Sequence, residues 1–193
     1  MGQWLRLLLE GEFIYITAIG LIAPIFSIFL RDTIFDATLL TIGIAEGIFL
    51  LTLAILRPFT QLTTQKDAKG WRTQHFFWYG GLLVVLVPFL YLLARDMIDI
   101  YVIQMLYGLG IAFCEPAWIR MTDLTCKIRT STNWEQFNTV GTLLAAGMAA
   151  LAGYVAHNYG IKPLFIFIGT MLAFTIIGMN AIYYKLCLYQ VKK

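Results

Sequence analysis

Leu39-Leu-Thr-Ile-Gly-Ile-Ala-Glu46-Gly-Ile-Phe-Leu-Leu-Thr-Leu-Ala-Ile-Leu56, closed by Arg57-Pro58, decides what kind of fold this chain adopts. A helix over such a run crosses the ~30 Å hydrocarbon layer of a bilayer at ~1.5 Å rise per residue. Glu46 is the only ionisable residue inside it. Working outward on the same criterion of apolar length and flanking charge, six helices are expected at about 12 to 30, 38 to 57, 76 to 94, 98 to 119, 137 to 156 and 163 to 184. Lipid offers no hydrogen bonds to exposed backbone, so a span is a helix or a strand of a closed barrel. These continuous runs lack the ~10-residue alternation of barrel strands. The expectation is an all-α membrane protein whose residues 1 to 193 form one six-helix transmembrane domain.

Composition agrees. Hydrophobic residues make up 60% of the 193 and charged residues 13%, with a mean hydropathy of +0.76. A soluble domain carries ~25% charged residues, so no water-soluble surface can be built from this chain. The net charge of +3, spread over short loops, argues against a nucleic-acid partner. The charges speak instead to orientation. With the N-terminus inside, the cytoplasmic face holds Arg6, Arg57, Lys66, Lys69, Arg72, Arg120, Lys127, Arg129, Lys185, Lys192 and Lys193, whereas the outer face holds Arg31, Arg95 and Lys162. The positive-inside rule therefore places both termini in the cytoplasm. Cys114, Cys126 and Cys187 have no zinc or disulfide spacing and are read as small apolar filler. Glu10 and Glu12 interrupt any signal-peptide core, so the first helix is expected to persist.

The outer turns are expected to be short, near 31 to 37, 95 to 97 and 157 to 162, and the inner connections 58 to 75 and 121 to 136 longer and polar. Asp67-Ala-Lys-Gly70-Trp-Arg72 and His157-Asn-Tyr-Gly160-Ile-Lys162 share a Gly-apolar-basic ending at corresponding places on opposite faces, as a three-plus-three inverted repeat requires.

The stretch Thr63-Thr-Gln-Lys-Asp67-Ala-Lys-Gly70-Trp-Arg72 resembles the signature of the major facilitator superfamily between its second and third helices. Asp67, Gly70 and Arg72 match; Thr63 replaces a Gly and Gln65 a Leu. From the residues alone, Gly70 supplies a tight turn and Asp67 accepts backbone hydrogen bonds or pairs with a cation, as in any polar turn. The likeness continues at Gly20-Leu-Ile-Ala-Pro24 and at Gln104-Met-Leu-Tyr107-Gly108-Leu-Gly110, where Gln104 stands at a position that carries Arg in many proton-coupled members. The Gly-Pro pair of antiporters is absent at Met148-Ala149. The resemblance covers one half of a twelve-helix transporter. It implies transport of a small solute by alternating access, a second six-helix half that is a second copy or a separate chain, and a cytoplasmic gating network of Asp67, Gly70, Arg72 and Asp123. A non-transporting subunit that binds another membrane protein, or a truncated half of a longer transporter, are the alternatives.

Within the membrane, Glu46 and Glu115 are the candidate coupling acids, because an ionised acid there costs ~2.5 kcal/mol or more unless paired or watered. Glu46 shares a face with Arg57 and is either a proton site or a protonated acid bonded inside the bundle. Gln104, Gly108, Ile111, Glu115 and Trp118 fall on one face at 3.6-residue spacing and are the candidate substrate pathway. Gly141, Ala145, Ala149 and Gly153 form a small-residue stripe suited to close helix contact, within the unit or at a subunit interface. Trp4, Trp71, Trp78, Trp134, Tyr183, Tyr184 and Tyr189 are expected at headgroup depth. His75 and His157 sit at helix ends, where a surface role is expected. No nucleophile triad, phosphate loop or metal constellation is present in the sequence, so neither an enzyme nor a cofactor is expected.

Overall fold

The computed structural model describes residues 11–12, 14–18, 26–31, 33–34, 37–67, 70–126 and 132–191, with the side chains of 124–126, 132–138 and 185–191 outside the description. Gly20 to Pro24, Lys69, Lys127, Arg129, Lys192, Lys193, Trp4 and Arg6, and the side chains of Trp134, Lys185 and Tyr189, lie outside it too. Among the described residues the fold is all-helical. Five long helices follow one another: α1 (Leu39–Gln65), α2 (Trp71–Leu93), α3 (Met97–Cys126), α4 (Thr132–Tyr159) and α5 (Ile161–Val191). All five are long and apolar enough to cross a membrane. They correspond to the second to sixth runs of the sequence; of the first run, residues 14–18 and 26–31 are helical.

The connections expected at 58 to 75 and 121 to 136 are shorter than expected. Most of 58 to 75 and 121 to 136 is helix: α1 continues through Pro58 to Gln65, and α3 runs on to Cys126. Hydropathy marks where a helix leaves hydrocarbon, whereas the backbone ladder continues wherever each carbonyl still finds a donor. Pro58 removes a single N–H. The hydroxyls of Thr60 and Thr63 donate to the carbonyls of Leu56 and Phe59 at 3.2 and 2.8 Å, supplying nearby turns with extra donors. Starts are set by local chemistry. Thr38 and Thr41 form a reciprocal capping box on α1, and Asp99 accepts from the Arg95 N–H at 3.0 Å ahead of α3. Gly70 and Gly160, immediately before α2 and α5, adopt left-handed conformations with φ of 74° and 86°.

Helix α3 is the centre of the bundle. It packs against α2 on one side and α1 on the other, α2 packs in turn on α5, and α4 joins through a thin contact with α5. Accordingly 56% of α3's apolar window is buried, against 6% for α1 and 11% for α4. Phe29 of the N-terminal segment meets Phe165 edge-on at 4.9 Å, and Tyr91 lies 5.6 Å from the same ring, which ties that segment to α2 and α5. Tyr183, expected at an interface, is instead buried at 2% exposure beside Met179 and Trp118, because it lies on the α5 face that packs inward. Trp71 and Tyr184 are exposed.

Glycines set the helix separations. A Cβ on Gly80 would stand 2.6 Å from the Cys114 nitrogen and 2.7 Å from the Gly110 oxygen, so α2 and α3 touch backbone to backbone there. Gly80→Ala is therefore expected to lower stability by ~1–3 kcal/mol, the usual penalty of overpacking. Gly147→Ala, whose new methyl meets nothing within 4 Å, is expected to change it little. Thermal unfolding of both variants in detergent, followed by circular dichroism, checks the contrast.

Candidate functional site

The polar residues of the membrane interior collect along the seam between α1 and α3. The register of that seam is set at three points. The rings of Phe49 and Tyr107 stack with centroids 4.8 Å apart. Gly108 sits where a Cβ would come within 2.8 Å of the Phe49 carbonyl oxygen. Arg57 and Glu115, 58 positions apart, form an ion pair through Nη2 and Oε1. Phe49 and Tyr107 are separated by the same number of residues, so α1 and α3 run parallel at constant register. That register brings Glu46 level with Gln104, and Gln61 and Gln65 level with Ile119 and Asp123.

Glu46 is exposed on α1. It lies close enough to the phenols of Tyr107 and Tyr91 to act on them electrostatically. Gln104 is 2% exposed, and its carbonyl oxygen has no hydrogen-bond partner among the described residues. Such an orphan acceptor costs ~1–3 kcal/mol. Gly108, Ile111 and Trp118 are buried in helix packing, Gly108 against α1 and Trp118 near Phe77 at 5.9 Å, so of the α3 stripe Glu115 alone is substantially accessible. Tyr15, from the N-terminal segment, stands close to Cys114, Tyr107 and Glu115.

The residues expected to form a cytoplasmic gating network divide into two places. Asp67 is a helix cap: Oδ1 accepts from the Gly70 N–H at 3.1 Å, and Oδ2 from the Thr73 N–H at 2.8 Å and the Thr73 hydroxyl at 3.1 Å. Burial pushes its carboxyl up, but these hydrogen bonds outweigh burial and hold it below the usual carboxylate range. Arg72 is exposed and has no ion pair among the described residues. Asp123 belongs instead to a cavity it shares with Arg57 and Arg120. The structure thus joins Asp67 and Gly70 in one turn and links neither Arg72 nor Asp123 to it by an ion pair.

Sequence reading did not find the Arg57–Glu115 pair, Tyr107 or Arg120. The signal for Arg57 was present, since it lies on the Glu46 face of α1, but its partner is a matter of inter-helix register. His75 and His157 are exposed, and among the described residues no cluster of three or more metal-ligating side chains exists. Compared with family models, curated proteins and solved structures, the chain matches none.

Two measurements follow from this geometry. Arg57→Gln and Glu115→Gln each leave a charge unpaired, so the double variant is expected to lower the melting temperature by less than the sum of the two single losses. A thermodynamic cycle in detergent is expected to give a coupling of ~0.5–3 kcal/mol, and a coupling of zero would remove the pair as a tie between the helices. For Asp67 the folded-state value is the lower one, so its carboxylate adds stability above its unfolded value of about 3.9, and that contribution is lost as pH falls through the folded value. Asp67→Asn is expected to flatten the loss of melting temperature below about pH 4, as read by scans from pH 7 to 3.

Proposed function

We propose that this chain is one half of a secondary transporter of the major facilitator type. In this reading it has six spans in a three-plus-three inverted repeat, cytoplasmic termini, and a second six-helix half with which it moves a small solute by alternating access. The second half is another copy, a separate chain or a continuation of the same polypeptide. The observation that carries the reading is the polar seam on a thinly covered face: Glu46 is exposed, and the side chains of the Arg57–Glu115 pair are 42% and 37% exposed. Hydrocarbon does not solvate such groups, and intramembrane ionisable residues face water or protein. An aqueous cavity between two halves gives them both. The left-handed Gly70 and Gly160 at corresponding turns support the repeat.

In this mechanism Glu115 exchanges between Arg57 and a proton or cation, Glu46 is the second coupling acid, and Gln104 offers its unpaired carbonyl to solute or water one level further out. Loss of the pair frees Arg57 and loosens α1 from α3, the helix–helix seam that a rocking motion would use.

A different class of function, a non-transporting subunit that binds another membrane protein, is favoured by one feature, the open side of α4. Its small-residue stripe passes from buried Gly141 to exposed Gly153, beyond which nothing lies within 4 Å.

Proteoliposomes distinguish the two. Under imposed proton or sodium gradients, the chain is expected to catalyse solute-dependent ion flux. Glu115→Gln and Glu46→Gln are expected to reduce it by roughly tenfold or more, an activation difference of ~1.4 kcal/mol. No flux under any gradient, alone or with a second half, together with a stable complex with an unrelated membrane protein that survives both substitutions, would establish the subunit reading instead.

A further inference from the structure

Beyond the Arg57–Glu115 pair, toward the ends of α1 and α3, a cavity of about 470 Å³ is lined by Arg57, Gln61, Thr64, Gln65, Arg120 and Asp123. Its polar groups are not used up by the fold. Arg57 is engaged with Glu115, and the Thr64 hydroxyl donates to the Gln61 carbonyl at 3.1 Å. The Nε of Arg120 is buried with no hydrogen-bond partner among the described residues. Asp123 makes no ion pair among the described residues. The cavity therefore presents one guanidinium and one carboxylate, with the side-chain amides of Gln61 and Gln65 beside them.

Position and spacing narrow the ligand. Arg57 to Gln65 is ~12 Å of helix at ~1.5 Å per residue, and the apolar run of α1 ends just before Arg57, so the cavity starts at the edge of the hydrocarbon and extends into the headgroup layer. A guanidinium fork matches phosphate. Asp123 accepts hydrogen bonds from an ammonium. Residues three apart on a helix have Cβ atoms ~5–6 Å apart, a distance that a phosphate and an ammonium joined by a two-carbon arm can span.

We propose that this cavity binds an ethanolamine phosphate group, with its phosphate on Arg120, Gln61 and Gln65 and its ammonium on Asp123. The site needs only that the chain is embedded in a membrane and stands apart from the transport reading. The group is available as a phospholipid headgroup or as a soluble phosphodiester.

The test uses the full chain in neutral detergent, with lipid retention read by native mass spectrometry and stabilisation by melting temperature. Phosphatidylethanolamine is expected to be retained at least roughly tenfold more strongly than phosphatidylcholine, whose ammonium has no N–H, or phosphatidylglycerol, which has no cation. Arg120→Gln and Asp123→Asn are each expected to erase that preference. The isosteric Asp123→Asn keeps the test decisive if Arg120→Gln fails to fold. Stabilisation by glycerophosphoethanolamine equal to that by the lipid assigns the soluble source; stabilisation by the lipid alone assigns the headgroup. Equal retention of all three lipids, or a preference that survives Asp123→Asn, overturns the proposal and leaves Arg120 and Asp123 as a pair that neutralise each other.

Discussion

The bundle depends on how closely α3 approaches its two neighbours. Inside lipid, helix association gains little from removing apolar surface, since hydrocarbon is as apolar as leucine; what remains is packing and the few polar contacts that packing brings into reach. Gly80 and Gly110 let α2 and α3 meet at their backbones, and Gly108 does the same for α3 and α1 on the opposite side. Because α3 is held from both sides, the register along the α1–α3 seam has little freedom. Once Gly108 is seated against Phe49, Arg57 and Glu115 fall opposite each other, as does the pair of levels that defines the cavity at Arg120 and Asp123.

Electrostatics then acts on a geometry already fixed by shape. A lone carboxylate or guanidinium at these depths would be costly, and a pair still forfeits hydration. Arg57–Glu115 is only half enclosed, which lowers that cost and leaves both groups reachable. The contrast along the same seam is informative. Among the described residues, Gln104 is buried with an unsatisfied oxygen, Glu115 is paired and accessible, and Asp123 lines a cavity without an ion pair. Polarity thus increases from the Gln104 level to the Asp123 level, while Val84, Ile100, Ile103 and Ile111 pack an apolar core beside the seam.

What the sequence made legible, and what it did not, follows the range of each interaction. Five of the expected runs are helices because their length and apolarity are local properties that lipid alone enforces. Their ends were misplaced at Gln65 and Cys126 because hydropathy records the membrane boundary, whereas a helix in the headgroup layer needs only its own hydrogen bonds. Glu46 and Glu115 were visible as costly residues in apolar runs. The partner of Glu115 was not, because which residue of α1 faces it depends on a contact between Gly108 and Phe49, residues 59 positions apart. The stripe on α4 drew attention through its regular spacing, yet the tight contacts lie at Gly80, Gly108 and Gly110, where Gly80-Gly81 in the third run and Gly108-Leu-Gly110 in the fourth were the only hints. Asp67 and Gly70 were legible as a turn, and a turn is how they fold.

The uneven attachment of the helices gives the seam its significance. Helices α2, α3 and α5 with the N-terminal segment share the two buried clusters, so separating any of them exposes tightly packed rings and backbone. Among the described residues α1 is held chiefly by α3, and the ties include the Phe49–Tyr107 stack, the Gly108 contact and the Arg57–Glu115 ion pair. Of these three ties, the first two depend on shape and are insensitive to ligands. The third alone can be switched by a proton, a cation or a competing anion, because protonated Glu115 no longer attracts Arg57 and an anion in the adjoining cavity competes for it. A ligand that engages this pair can therefore bias the position of α1, since an equilibrium between arrangements shifts only through a group that interacts differently with the two.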